Sequence, residues 1–211
     1  MPRESAAPTA ATADPMLAFP FIGGRPCLDF IATLGRRYGT PVERLTDPDA
    51  LIRWIDEAGL STASGTDDEP AGATARDLTQ ARTLREALHR LVRAAMDGVP
   101  PDPADAALVN EEAGRPDLAP QLAESAKPRP PLRWQADHGA PAALATVARD
   151  AVLLVTGPLL TRVKKCENPA CSLLFLDDSQ ARRRRWCSMD RCGNLAKVAG
   201  YRSRSRATST E

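Results

Sequence analysis

Aromatic side chains are scarce, at three Trp, two Tyr and four Phe in 211 residues, and there are only two histidines. With so few large rings, Trp54 and Trp134 stand out as core anchors. His89 and His138 are isolated, with no converging partners that would make either a metal ligand or a general base. No apolar run approaches the roughly 18 residues of a membrane span. The best one, from Ala151 to Val155, runs at once into Thr156, Gly157 and Pro158. Asp14 and Pro15 stand where a secretory signal needs an unbroken apolar core, so a cytoplasmic location without a membrane partner is expected. Gly23-Gly24 lacks the spacing of a dinucleotide-binding fingerprint. No set of titratable residues nominates an enzyme, and none is expected.

What is present is unevenly distributed. The formal net charge is +1, but residues 1–161 hold 16 basic and 22 acidic side chains, whereas residues 162–206 hold 12 basic and 4 acidic. Such asymmetry points to a nucleic-acid-binding segment on an otherwise acidic body. Four of the five cysteines lie in that same basic segment. The fifth, Cys27, reads as a small buried hydrophobe, and Asp29 nearby as a capping or arginine-pairing group.

The pattern along the chain predicts an α+β protein, with a mostly helical body and a small β element. Residues 1–16 read as a disordered lead-in, 17–160 as the body, 161–206 as a cysteine module and 207–211 as a disordered tail. A short strand is expected before Gly23-Gly24 and a helix from near Pro26. Asp47-Pro48 and Asp102-Pro103 each place an acidic N-cap before a helix-opening proline. These start helices that end before Gly59 and by Gly114. A long helix is expected over 73–96, with Leu78, Ala81, Leu84, Leu88, Leu91 and Val92 on one stripe. Residues 132–135 form the one expected strand of a proline-rich stretch, and a last body helix opens at Pro141 and breaks at Gly157-Pro158.

Cys166 and Cys171 form a C-x4-C pair, as do Cys187 and Cys192, with fifteen residues between the pairs. Two ligands on each of two chain segments is the common plan of a tetrahedral zinc site, and four thiolates leave no coordination position for a catalytic water. One structural Zn²⁺ is therefore expected. Disulfides would need an oxidising compartment and would leave Cys27 unpaired. Between the pairs, residues 173–176 and 183–186 read as two strands of a hairpin closed by a turn over 177–181, and Ser188 as a helix N-cap. A turn pair, a hairpin and a pair at a helix N-terminus make a treble-clef-like finger.

Those residues also resemble a known family. Cys166, Cys171, Phe175, Asp177, Ser179, Arg184-Arg185-Trp186-Cys187 and Cys192-Gly193-Asn194 follow the pattern of the CGNR-type zinc finger, with Leu195 in place of its arginine. The body is similar to the ABATE domain, grouped with stress-induced transcription regulators, through Gly23-Gly24, Cys27-Leu28-Asp29-Phe30, Thr33-Leu34 and Leu84-Arg85. The resemblance implies a transcription regulator with a zinc cofactor.

Arg182, Arg183, Arg184, Arg185, Arg191, Lys197, Arg202 and Arg204 are the candidate phosphate contacts around that metal. The expected partner is DNA, bound weakly and with tolerance of sequence. RNA or a protein partner is the alternative, and a basic segment that is merely solvated is the bland one. A small-molecule effector and a homodimer through the body are further expectations.

Overall fold

In the computed structural model, residues 15–62, 72–125 and 128–198 are described. The N-caps read from the sequence are the ones used. Asp47 accepts a hydrogen bond from the Ala50 amide at 2.7 Å and opens a helix whose buried face is Leu51, Trp54 and Ile55. Thr74 and Asp77 cap each other reciprocally at the start of the long helix, and Asp102 receives the Ala104 amide. Such caps satisfy the free N–H groups of a first helical turn.

The helices are α1 (Pro26–Ile31), α2 (Pro48–Glu57), α3 (Ala75–Met96), α4 (Pro103–Ala113) and α5 (Gly139–Thr156). Three two-stranded antiparallel ribbons join them: β1 (Leu34–Gly35) with β2 (Val42–Glu43), β3 (Ala119–Leu122) with β4 (Leu132–Gln135), and β5 (Val163–Lys165) with β6 (Leu174–Leu176). α5 is the central core helix, packed by α1, α3 and α4, with Ala143, Leu144, Val147, Ala148 and Ala151 buried. By length and composition alone α5 could cross a membrane, yet half of it is buried inside the fold. Thr156 ends it, and Pro158–Arg162 form the tight turn that the Gly157-Pro158 break called for.

Two expectations for the body need correcting. Among the described residues no strand precedes Gly23-Gly24: Phe19 is buried there and Phe21 stacks on Trp54 with ring centroids 6.2 Å apart. Residues 132–135 are not alone, since they pair with 119–122 in a register that sets Pro120 opposite Trp134. Trp134 reaches back to donate its indole N–H to the Gly59 carbonyl at 2.7 Å. The reading of 1–16 as a lead-in falls mostly outside the described residues, although Pro15–Leu17 make a helical turn. The tail at 207–211 lies outside them altogether.

Candidate metal centre

The second hairpin strand comes from a different place than expected. β6 pairs with β5, upstream of the first cysteine, in the register Val163↔Leu176 and Lys165↔Leu174. The first cysteine pair thus sits in the loop of the hairpin, and residues 183–186 form no strand. The reason is where their hydrogen bonds go. The Arg184 amide donates to the Asp177 carboxylate at 2.9 Å, and the Arg185 carbonyl accepts from the Glu167 amide at 3.0 Å. This brings Cys187 back under Cys166, whose Sγ accepts the Cys187 amide at 3.4 Å.

Asp177 organises that return. It is fully buried, and its carboxylate accepts from the Lys164 ammonium at 2.6 Å, from both the amide and the hydroxyl of Ser179, and from the Arg184 amide. Burial alone would raise its pKa. The Lys164 ammonium and the surrounding donors outweigh that and hold the carboxyl well below the usual range. Arg184 adds a second brace: its guanidinium donates to the Cys187 carbonyl at 2.6 Å and lies 4.7 Å over the Phe175 ring.

At the other end Ser188 caps the last helical segment, its hydroxyl accepting from the Arg191 amide at 3.1 Å. Met189–Gly193 make a wide helical turn, continued by helix over 194–198. Cys192 lies in that first turn, as the capping serine implied. Trp186 packs against the cysteine cluster.

The four sulfurs of Cys166, Cys171, Cys187 and Cys192 all lie within 4.8 Å of one another. Cys171 and Cys187 Sγ are 3.9 Å apart, and Cys187 and Cys192 Sγ 3.6 Å. A tetrahedron of sulfurs about 2.3 Å from a central zinc has edges of about 3.8 Å, so the spacing fits one ion and is too long for a disulfide. Asn168 supports the cluster by donating its amide to Cys192 Sγ at 3.4 Å. The thiols cannot all ionise unaided. Hydrogen bonding from Cys187 lowers Cys171 to about 5, while Cys187 itself is pushed up by that same bond, by burial and by the charge of its neighbours. A divalent cation resolves this conflict by stabilising all four thiolates together. The group it suits is a structural zinc, which would be held by these four sulfurs alone.

The remaining candidates divide. Arg182, Arg183, Arg191 and Lys197 are exposed. Arg185 is exposed but pairs with Glu167 at 2.6 Å. Arg184 is half-buried and braced internally. Arg202 and Arg204 lie outside the described residues. In the body Cys27 is fully buried, with burial raising its thiol and its amide bound to Asp150. Asp29 caps the Gly23 amide at 2.7 Å. Lys164 is the residue the sequence did not single out as structural; the basic run hid it, and only its alternation with Val163 in an edge strand could have marked it.

The finger is fixed to the body. Leu176 donates its amide to the Gly23 carbonyl at 2.8 Å, and Ala32 of the body packs into the same apolar cluster as Phe175 and the cysteines. A Cβ on Gly23 would fall 2.8 Å from that of Leu28, so the turn that meets the finger needs glycine there.

Comparison with known proteins agrees with this division. Residues 24–158 match the ABATE family, described as "Putative stress-induced transcription regulator", and residues 162–205 match the CGNR zinc finger. Both are of regulator or zinc-finger type. No curated protein matches the chain. With the family match spanning most of its length and the cysteine quartet in place, this chain belongs to the ABATE family and carries a CGNR zinc finger behind the ABATE region.

Proposed function

We propose that the protein is a transcription regulator that binds DNA through the zinc-ordered basic surface of its finger. The observation that carries this is the contrast among the finger's cations. Lys164 and Arg184 are consumed inside the module, whereas Arg182, Arg183 and Lys197 are exposed without a carboxylate partner among the described residues. Arg182 holds a left-handed backbone at φ 48°, and it and Arg183 are exposed on the loop that follows β6. Cations arranged on a rigid frame meet phosphates by counterion release, and read sequence only where a side chain reaches a base edge. Arg185, Arg191, Arg202 and Arg204 complete the proposed contact set. The ABATE body is read as the part that senses a ligand or pairs two chains.

Fluorescence anisotropy of the zinc-loaded protein with duplex DNA tests this. With about six phosphates engaged, log affinity against log salt falls with a slope of roughly −5, a loss of about a thousandfold between ~50 and ~200 mM. A slope near zero rejects the mechanism. Met189, Leu195 and Val198, each exposed on the terminal helical segment, favour a second reading in which that segment docks a protein. In that case the finger shows no salt-dependent affinity for duplex, single strands or RNA.

A further inference from the structure

Most arginines of the body answer a carboxylate. Arg25 meets Asp150, Arg37 meets Glu86, Arg85 meets Glu43, and Arg90 meets Asp105. Arg36 and Arg44 do not, among the described residues, nor does Arg191 of the finger, and all three line one cavity of about 310 Å³ at the seam between body and finger. Among the described residues no Asp or Glu lines that cavity, although the metal-binding Cys171 and Cys192 reach its wall; Met16, Ala170, Leu173 and Leu195 form its apolar part.

Arg44 is the informative member. It is only 4% exposed. Its Nε donates to the Ala18 carbonyl at 2.9 Å, and Nη1 reaches the carbonyls of Ala32 and Val42 at 3.4 and 3.5 Å. These acceptors are neutral, and Nη2 has no partner among the described residues. Gly35 is part of the arrangement, since a Cβ there would fall 2.7 Å from Nη1. A charge buried this deeply ordinarily faces an opposite one; the negative groups near Arg44 are Glu43 and Cys171, and its hydrogen bonds to the Ala18, Ala32 and Val42 carbonyls engage neither. Arg36 follows Gly35 in a left-handed conformation at φ 54°, and Arg191 is the residue before the ligand Cys192. A zinc tetrathiolate carries about −2; three guanidiniums exceed it, so the wall stays cationic with metal bound.

We propose that this seam cavity binds a small soluble molecule through a carboxylate or phosphate group, clamped by Arg44 and Arg36 from the body and Arg191 from the finger. Guanidinium is suited to such planar or bidentate oxyanion contacts, and Leu173 and Leu195 pack against the rest of the ligand. Because the clamp draws on both units, occupancy favours their docked arrangement. This gives a chemical class to the ligand-sensing role read for the body, and its test needs no DNA in the first arm, so its failure leaves the DNA reading standing.

The test is thermal unfolding of zinc-loaded full-length protein in inorganic phosphate, against chloride at matched ionic strength. Arg44→Gln removes a buried group and risks unfolding, so the exposed Arg36→Gln and Arg191→Gln decide, with Arg183→Gln as the distant control. The expected result is a saturable rise in Tm for the native chain and for Arg183→Gln. Each cavity variant then needs about tenfold more phosphate for half the effect, the worth of one charge-assisted contact. No saturable rise, or an equal response in all four proteins, overturns the proposal. A duplex arm separates the sources of the oxyanion. If Arg36→Gln weakens duplex binding while the native chain shows no saturable phosphate response, the group belongs to a DNA backbone and the small-ligand assignment fails.

Discussion

The Lys164 ammonium donates to the buried Asp177 carboxylate at 2.6 Å, tying β5 to the turn that follows β6. That contact lets the chain leave the hairpin and return with Cys187 beneath Cys166, so part of the metal site is set by a residue that never touches metal. Asp177→Asn keeps the volume but replaces one acceptor oxygen with a donor facing Lys164 and the Arg184 amide. Zinc affinity, read by competition with a chelator, is expected to fall roughly 10- to 100-fold, as when support around metal ligands is lost. Unchanged affinity would remove Asp177 from the frame of the site.

The two neighbouring arginines separate structure from binding. Arg183→Gln removes an exposed charge and is expected to weaken duplex binding evenly across sequences and reduce the salt slope by about 1. Arg184→Gln loses the bond to the Cys187 carbonyl and the contact over Phe175, so zinc is released sooner in chelator. Titrations of both variants at several salt concentrations, with zinc retention measured in parallel, check the division.

Leu195 is 62% exposed and stands where the family pattern has arginine. Leu195→Arg restores that charge on a surface position, so stability changes by less than about 0.5 kcal/mol. Duplex affinity is expected to rise and the salt slope to steepen by about 1. If affinity does not move, the helix does not face phosphate.

His89 gives a pH prediction. Burial, with Arg37 nearby, lowers its pKa to about 4, and its Nε2 is buried without a hydrogen-bond partner among the described residues. The unfolded chain takes up this proton near pH 6.5 and the folded chain does not. Its contribution to stability is therefore intact above pH 6.5 and is lost as pH falls toward 4. Between pH 7 and pH 5 the native protein loses about 1–2 kcal/mol that His89→Phe retains. Urea unfolding of both proteins at the two pH values measures the difference, in which any loss of zinc cancels.

Much of this was legible in the chain. Asp47-Pro48 and Asp102-Pro103 marked their helices because caps act locally, and the two C-x4-C pairs announced the metal because ligand geometry constrains spacing. The finger's hairpin is present, but its second strand is not the one expected at 183–186: β6 has its partner in β5, and long-range pairing leaves no local mark. β3 leaves no local mark for the same reason, since Pro120 argues against a strand unless its partner is known. The arginines of the seam cavity were invisible because Arg44 and Arg191 lie far apart in sequence and meet only after folding.

The central claim is that one zinc ion, held by Cys166, Cys171, Cys187 and Cys192, orders the basic module. Elemental analysis of reduced protein, with and without Cys192→Ser, tests it most directly. One zinc per chain in the native protein and little or none in the variant is the predicted result. A native protein free of metal, with residues 163–198 still protected from hydrogen exchange, would contradict it.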